Sequence, residues 1–470
     1  MIIRLNNLFI ATVAVLATVC CSGCDSESAD KDIATPDNAI IDLVGSSVEE
    51  GSTVEATLAK IDIRYSTPII CAKDDSISIT SASGDEVSIN ITVKNLILSI
   101  ELREKLDYEH SYTLTIGKGA IKAKSSGALA DEFTLTFKSE KEPFVVDPSA
   151  DFNITEKLIN PNANSATVAL YNYLREGFGK RTLSGAMCKY TVQDVEADWI
   201  YEVSGKYPAI LCYDFMNSTR EYSWDEPYST LITSAKEWRD NGGVVSAMWH
   251  WRDPSRKTEA FYSLNTQVDE RTSFDVGKVH DTESAEYKAI IGDIDIVAGY
   301  LKQLQDLNIP VLWRPMHEAQ GSWFWWGAGE AEDTKALWRL LYDRLTNHHG
   351  LNNLIWVWTV DKKTDAENWY PGDEFVDILG TDIYGTPSHD SRRDYFDFVA
   401  SIGSHTKLVA LSECGAIPSP ENMVESGDTW SWFMPWIGDF LHDDAFNGAD
   451  FIKRIMNYNF VITRDEVSIE

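Results

Sequence analysis

The sequence predicts an α/β fold, a (β/α)8 TIM barrel preceded by a small all-β sandwich. Three observations carry this. Strand and helix signals alternate eight times across residues 151–470. Residues 40–139 instead show period-two hydrophobicity broken by Gly, Asn, Asp and Ser clusters. All 16 tryptophans lie between Trp199 and Trp436, so two modules of different composition share the chain.

In the first module, Ile61, Ile63 and Tyr65 alternate, as do Val87, Ile89, Ile91 and Val93. Leu96, Leu98, Ile100 and Leu102 follow, then Phe133, Leu135 and Phe137. Alternation of this kind marks half-buried antiparallel strands, and about 100 residues of them make a sandwich. Lys138 to Ala150, with two prolines and mixed charge, reads as a linker.

The eight barrel strands are expected at Thr182–Met187, Ala209–Phe215, Val244–His250, Val311–Glu318, Leu354–Val360, Val376–Tyr384, Leu408–Glu413 and Phe433–Ile437. Between them run helical stripes. Ile290, Ile294, Val297, Leu301 and Leu304 step by four and three, and that helix must stop before Pro310. Leu337, Leu341 and Leu345 form another stripe, closed by Gly350. In such a barrel, chemistry sits at the C-terminal ends of the strands.

Two expected strands end in glutamate, Glu318 on the fourth and Glu413 on the seventh. Facing carboxylates across a barrel mouth suit glycosidic cleavage, where one protonates the leaving oxygen and the other attacks carbon or activates water. Either could instead be a structural ion pair, with Arg314 as a partner. After Glu318 the loop Gly321-Ser322-Trp323-Phe324-Trp325-Trp326-Gly327 packs four large aromatics. Flat rings stack on sugar faces, and apolar surroundings raise the pKa of a nearby acid. One of Trp325 and Trp326 is expected to cap the core instead.

The phrase Trp313-Arg314-Pro315-Met316-His317-Glu318 with that aromatic loop resembles the signature of glycoside hydrolase family 26, the β-mannanase family. Supporting phrases are Leu183-Ser184-Gly185, Trp249-His250-Trp251, Leu354-Ile355-Trp356-Val357-Trp358 and Thr381-Asp382-Ile383-Tyr384. The resemblance implies an endo-acting retaining enzyme that cleaves β-1,4-mannosidic bonds in mannan, galactomannan or glucomannan. It implies Glu318 as acid/base and Glu413 as nucleophile. His250, His317, Trp323, Asp382 and Tyr384 would form the sugar-binding shell, with Tyr384 bonding the nucleophile and Trp436 the platform on the non-reducing side. Ala319-Gln320 and Cys414 depart from the family pattern. β-1,3-Xylan and mixed-linkage β-glucan stay open as substrates. No metal or cofactor is expected. The first module, through His110-Ser111-Tyr112-Thr113-Leu114-Thr115-Ile116, resembles bacterial immunoglobulin-like domains and reads as a spacer.

Residues 1–24 carry one arginine, an apolar run from Leu8 to Cys20, and Ser22-Gly23-Cys24. The run is short of the ~20 residues a bilayer span needs, and fits a secretory signal. It resembles a bacterial lipoprotein signal with Cys24 as the lipid acceptor, which implies an anchor in the outer membrane; the protein is expected to be a monomer. Asp25-Ser26-Glu27 points to the cell surface; a periplasmic face, or a soluble secreted protein, are the alternatives. Cys71, Cys188, Cys212 and Cys414 are scattered and read as free, buried thiols.

The formal charge of −32 argues against nucleic acid and anionic lipid as partners. Gly321 stands where a zinc protease motif starting at His317-Glu318 would need histidine, and neither a phosphate-binding loop nor a G-x-S-x-G elbow occurs. A non-catalytic surface glycan binder is the competing class. It would keep the tryptophans and could lose a carboxylate, whereas both carboxylates are present.

Overall fold

A computed structural model describes residues 41–140, 151–189, 192 and 194–469. The signal segment with Cys24 and most of the expected linker lie outside them. The chain divides into two compact units, one ending at Glu140 and one beginning at Lys141. Among the described residues no helix is long and apolar enough to cross a membrane.

The first unit is a sandwich. One sheet pairs Leu43–Ser46, Lys60–Tyr65, Ile97–Leu102 and Ile89–Lys94 in that spatial order. The other runs Thr53–Val54, Phe133–Ser139, Ser111–Ile116, Ile77–Ser81 and Glu86–Val87. Alternate side chains meet between the sheets: Ile61, Ile63, Leu98 and Ile100 share a core with Ile79, Leu114, Leu135 and Phe137. Burying that face of each sheet holds the unit together.

The second unit is a closed parallel barrel. Its strands are β1 (Thr182–Met187), β2 (Ile210–Asp214), β3 (Val244–Trp249), β4 (Val311–Pro315), β5 (Leu354–Thr359), β6 (Ile378–Ile383), β7 (Leu408–Cys414) and β8 (Trp432–Pro435). Each pairs with the next, and β1 pairs with both β2 and β8 to close the ring. These strands are covered on both faces, so they read as continuous apolar runs rather than alternations. The helix Ala285–Asp306 buries Ile290, Ile294, Val297, Leu301 and Leu304. Ser284 caps its start, accepting from the Tyr287 N–H at 3.0 Å. Leu337, Leu341 and Leu345 are likewise fully buried.

Two differences from the expected elements matter for the site. Strand β4 stops at Pro315, three residues before Glu318. Met316 and Glu318 then both take left-handed backbone, with φ of 51° each, and turn the chain across the barrel mouth. Non-glycine residues held at positive φ are strained and concentrate at functional sites. The second difference is a bulge in β7. Thr381 pairs with Leu411 but Asp382 pairs with Glu413, so Ser412 is an extra residue. The register against β8 shifts over the same stretch. A bulge re-aims the side chain beside it, here Glu413.

Candidate active site

The mouth of the barrel gathers three carboxylates. One oxygen each of Glu318, Asp382 and Glu413 lies within 4.8 Å of the others. A metal could bind such a trio, but a guanidinium already supplies the countercharge. Buried Arg314, on β4, donates from Nη1 to Asp382 Oδ2 at 2.9 Å and pairs through Nη2 with Glu413 Oε1. Arg314 Nη1 also reaches Thr359 Oγ1 at 3.3 Å. The structural ion pair weighed for Arg314 therefore exists, and it engages the glutamate of strand seven rather than the neighbouring Glu318.

Glu413 is buried and accepts at both oxygens. Tyr384, at the end of β6, donates its hydroxyl to Oε2 at 2.8 Å. Asp382 is engaged at both oxygens: Oδ2 takes Arg314, and Oδ1 takes the bulged Ser412 hydroxyl at 2.7 Å. Its side chain is 0% exposed, held between Arg314 and Ser412. Burial pushes Asp382 up from the ordinary carboxylate value, against the opposing pull of Arg314.

Glu318 is placed differently. It accepts one hydrogen bond, from Trp323 Nε1 at 2.9 Å. Burial, then the charges of Asp382 and Glu413, push its pKa up to about 9. At neutral pH it is a protonated acid. Gly321 lets the Trp323 indole lie close, since a Cβ there would meet the ring at 2.2 Å.

Only Trp323 of the four loop aromatics stays partly open. Phe324, Trp325 and Trp326 are all buried, so both tryptophans are core, not one. The loop folds inward because each indole finds a backbone acceptor: Trp325 donates to the Trp251 carbonyl at 2.6 Å and Trp326 to the His317 carbonyl at 2.9 Å. Gly327 permits this tuck, for a Cβ would sit 1.8 Å from the Ala319 carbonyl oxygen.

His250, at the end of β3, and His317 face each other through their Nε2 atoms at 3.1 Å. Burial holds His317 well below its ordinary pKa, with His250 and Arg314 adding to the effect. Half-buried Trp436 meets His250 edge-on, ring centroids 6.0 Å apart. His250 Nδ1 pairs with Asp214 Oδ2 at 2.6 Å. Sequence reasoning missed Asp214; its only signal is an acidic residue closing β2. Cys414 points away into the core, and burial and the carboxylates raise its thiol pKa. All four later cysteines are free, but Cys71 is half-buried rather than buried.

A family model, glycosyl hydrolase family 26, matches residues 159–466. The chain belongs to glycosyl hydrolase family 26. A bacterial Ig-like domain model matches residues 37–139 ahead of this family 26 region. The chain is 36% identical over 343 residues to a mannan endo-1,4-beta-mannosidase of Thermothelomyces thermophilus, covering 72% of this chain and 67% of that one. It is 35% identical to mannan endo-1,4-beta-mannosidase B of Piromyces sp, covering 69% of this chain but 57% of that protein. Among solved structures, a beta-mannanase from a symbiotic protist of the termite Reticulitermes speratus, complexed with gluco-manno-oligosaccharide, superposes with a TM-score of 0.64 at 37% identity. The match covers 68% of this chain and all of that one. The Podospora anserina GH26-CBM35 beta-(1,4)-mannanase gives 0.61 at 29% identity, covering 91% of this chain and 96% of that one.

Proposed function

We propose that this family 26 chain is an endo-acting, retaining mannan endo-1,4-β-mannosidase, with Glu413 as nucleophile and Glu318 as acid/base. The observation that carries the retaining mechanism is that Glu318 and Glu413 bring a carboxylate oxygen each within 4.8 Å of one another. Retaining glycosidases place the pair about 5–5.5 Å apart, whereas inverting ones need about 6.5–9.5 Å to admit a water. Protonated Glu318 donates to the leaving oxygen while Glu413 attacks the anomeric carbon and forms a covalent glycosyl-enzyme. Glu318, now a carboxylate, deprotonates the incoming water, and the sugar leaves with its β-configuration restored.

The remaining groups shape this chemistry. Arg314 and Tyr384 aim Glu413, and Asp382 holds Arg314. Trp323 and Trp436 offer partly open rings to sugar faces, and His250 and His317 serve the ring at the cleaved bond. The mannanase activity of the relatives supports mannan as the polymer. Digests of mannan, galactomannan, β-1,3-xylan and mixed-linkage glucan test it. Manno-oligosaccharides of mixed length, with the β-anomer appearing first by proton NMR, are expected. Degradation of β-1,3-xylan or glucan alone would overturn the substrate, and a first-formed α-anomer the mechanism.

The same reading places the mature protein as a monomer on the outer membrane, facing outward, lipidated at Cys24. Its support is the Ser22-Gly23-Cys24 run followed by Asp25-Ser26-Glu27. Labelled fatty acid should enter the wild type and not Cys24→Ser; equal labelling of both would refute the anchor.

A further inference from the structure

We propose that Asp214 is a positioning residue that sets the tautomers of both active-site histidines. Its carboxylate is buried, and its two oxygens meet different partners. Oδ1 accepts from two backbone N–H groups, His250 at 3.0 Å and Met216 at 2.9 Å. Oδ2 faces His250 Nδ1 at 2.6 Å. A carboxylate only accepts, so His250 carries a proton on Nδ1.

The consequence passes to the next ring. His250 Nε2 and His317 Nε2 lie 3.1 Å apart, and only one of them can hold the shared hydrogen. His317 Nδ1 is buried and has no hydrogen-bond partner among the described residues. A proton on His250 Nε2 would force the His317 proton onto Nδ1, leaving a buried N–H without an acceptor. A proton on His317 Nε2 leaves only an unused lone pair there. By analogy with the backbone, where a buried N–H is left without a partner less often than an acceptor is, the second arrangement is preferred. The order is therefore Asp214 accepting from His250 Nδ1–H, and His250 Nε2 accepting from His317 Nε2–H. His317 Nδ1 is left as an acceptor.

Asp214→Asn reverses this with almost no change of volume. The amide oxygen must take the Oδ1 position, because two N–H groups converge on it. The amide NH2 then faces His250 Nδ1 and donates. His250 must carry its proton on Nε2, and His317 must accept there and carry its own on Nδ1. Donor and acceptor exchange on both rings. The effect on rate rests on the proposed contact of these rings with sugar; the tautomers themselves do not.

The test is long-range 1H–15N NMR on the full-length protein labelled with 15N-histidine, assigned with His250→Gln and His317→Gln. The wild type should show His250 protonated at Nδ1 only and His317 at Nε2 only. Asp214→Asn should reverse both and lower kcat on a manno-oligosaccharide by about 10–10^4-fold, the range seen when the carboxylate that orients a functional histidine is lost or made an amide, with KM changed far less. Protonation of wild-type His250 at Nε2 would overturn the proposal, and that spectrum decides even if Asp214→Asn does not fold. So would unreversed rings in Asp214→Asn; reversed rings with kcat unchanged would overturn the role of the rings in the reaction while the tautomer assignment stood. If the wild type shows the stated tautomers but cuts no mannan, the glycosidase reading fails while the tautomer assignment stands.

Discussion

The turn after β4 and the end of β7 each deliver one glutamate to the same few ångströms, by opposite means. Glu413 sits on a strand, within a bulge, and is met by a cation and a phenol. Glu318 sits beyond its strand on a left-handed turn and is met by a single indole N–H. Both are shielded from water, but one carboxyl is met by several donors and the other by like charge and a single donor. Two identical side chains thereby acquire different chemistry. Environment, not residue type, divides the labour between acid and nucleophile.

Loss of the nucleophile removes the reaction outright. Glu413→Ala should abolish turnover on every substrate, by at least about 10^4-fold in kcat, as loss of a covalent nucleophile does elsewhere. It also leaves Arg314 half-paired, so circular dichroism must show the barrel intact. Residual mannanase activity within tenfold of wild type would remove Glu413 from the mechanism.

Removing the acid should look different. Glu318→Gln should lose about 10^2–10^4-fold on mannan, the usual worth of general acid–base catalysis. On an aryl mannoside with an activated leaving group the first step needs little protonation. A burst of phenol followed by slow turnover is expected, because the glycosyl-enzyme then waits for a base. Equal loss on both substrates, with no burst, would mean that Glu318 is not the proton donor.

Much of this contrast was legible in the chain. The two glutamates, the arginine beside one of them and the stripe from Ile290 to Leu304 could all be read from spacing. Trp325 and Trp326 could not be sorted, because their burial depends on carbonyls of Trp251 and His317 that only folding brings within reach. Asp214 was illegible because its partner His250 lies 36 residues away on the next strand. The bulge at Ser412 was hidden as well. It is a mismatch of register between neighbouring strands and leaves no mark in one strand's own pattern.

The pH profile separates the two carboxyls as well. The alkaline limb should report loss of the Glu318 proton. Like charge from Asp382 raises that pKa and the Trp323 hydrogen bond lowers it. Asp382→Asn should therefore move the limb to lower pH, and Trp323→Phe should move it higher. A displacement of one pH unit corresponds to about 1.4 kcal/mol. Rate measurements from pH 5 to 10 decide both; a shift of the two limbs in the same direction would refute the assigned causes.

The smallest expected effect concerns stability. Glu318 ionises near about 9 in the folded protein, against an ordinary 4.5. Between those values the unfolded chain has released a proton that the folded one still holds. Stability then falls as pH rises through that window, because the folded state binds more protons. Gln has no proton to lose, so Glu318→Gln should lack this slope. At pH 5 the variant and wild type should melt together, and by pH 8 the variant should melt higher by at least about 2 °C, the shift that roughly 1 kcal/mol gives a unit of this size. The same burial that keeps the acid protonated for catalysis is what the fold loses stability to maintain. Parallel melting temperatures across pH 5–8 would show that Glu318 is not held as a buried acid, and would remove the contrast with Glu413.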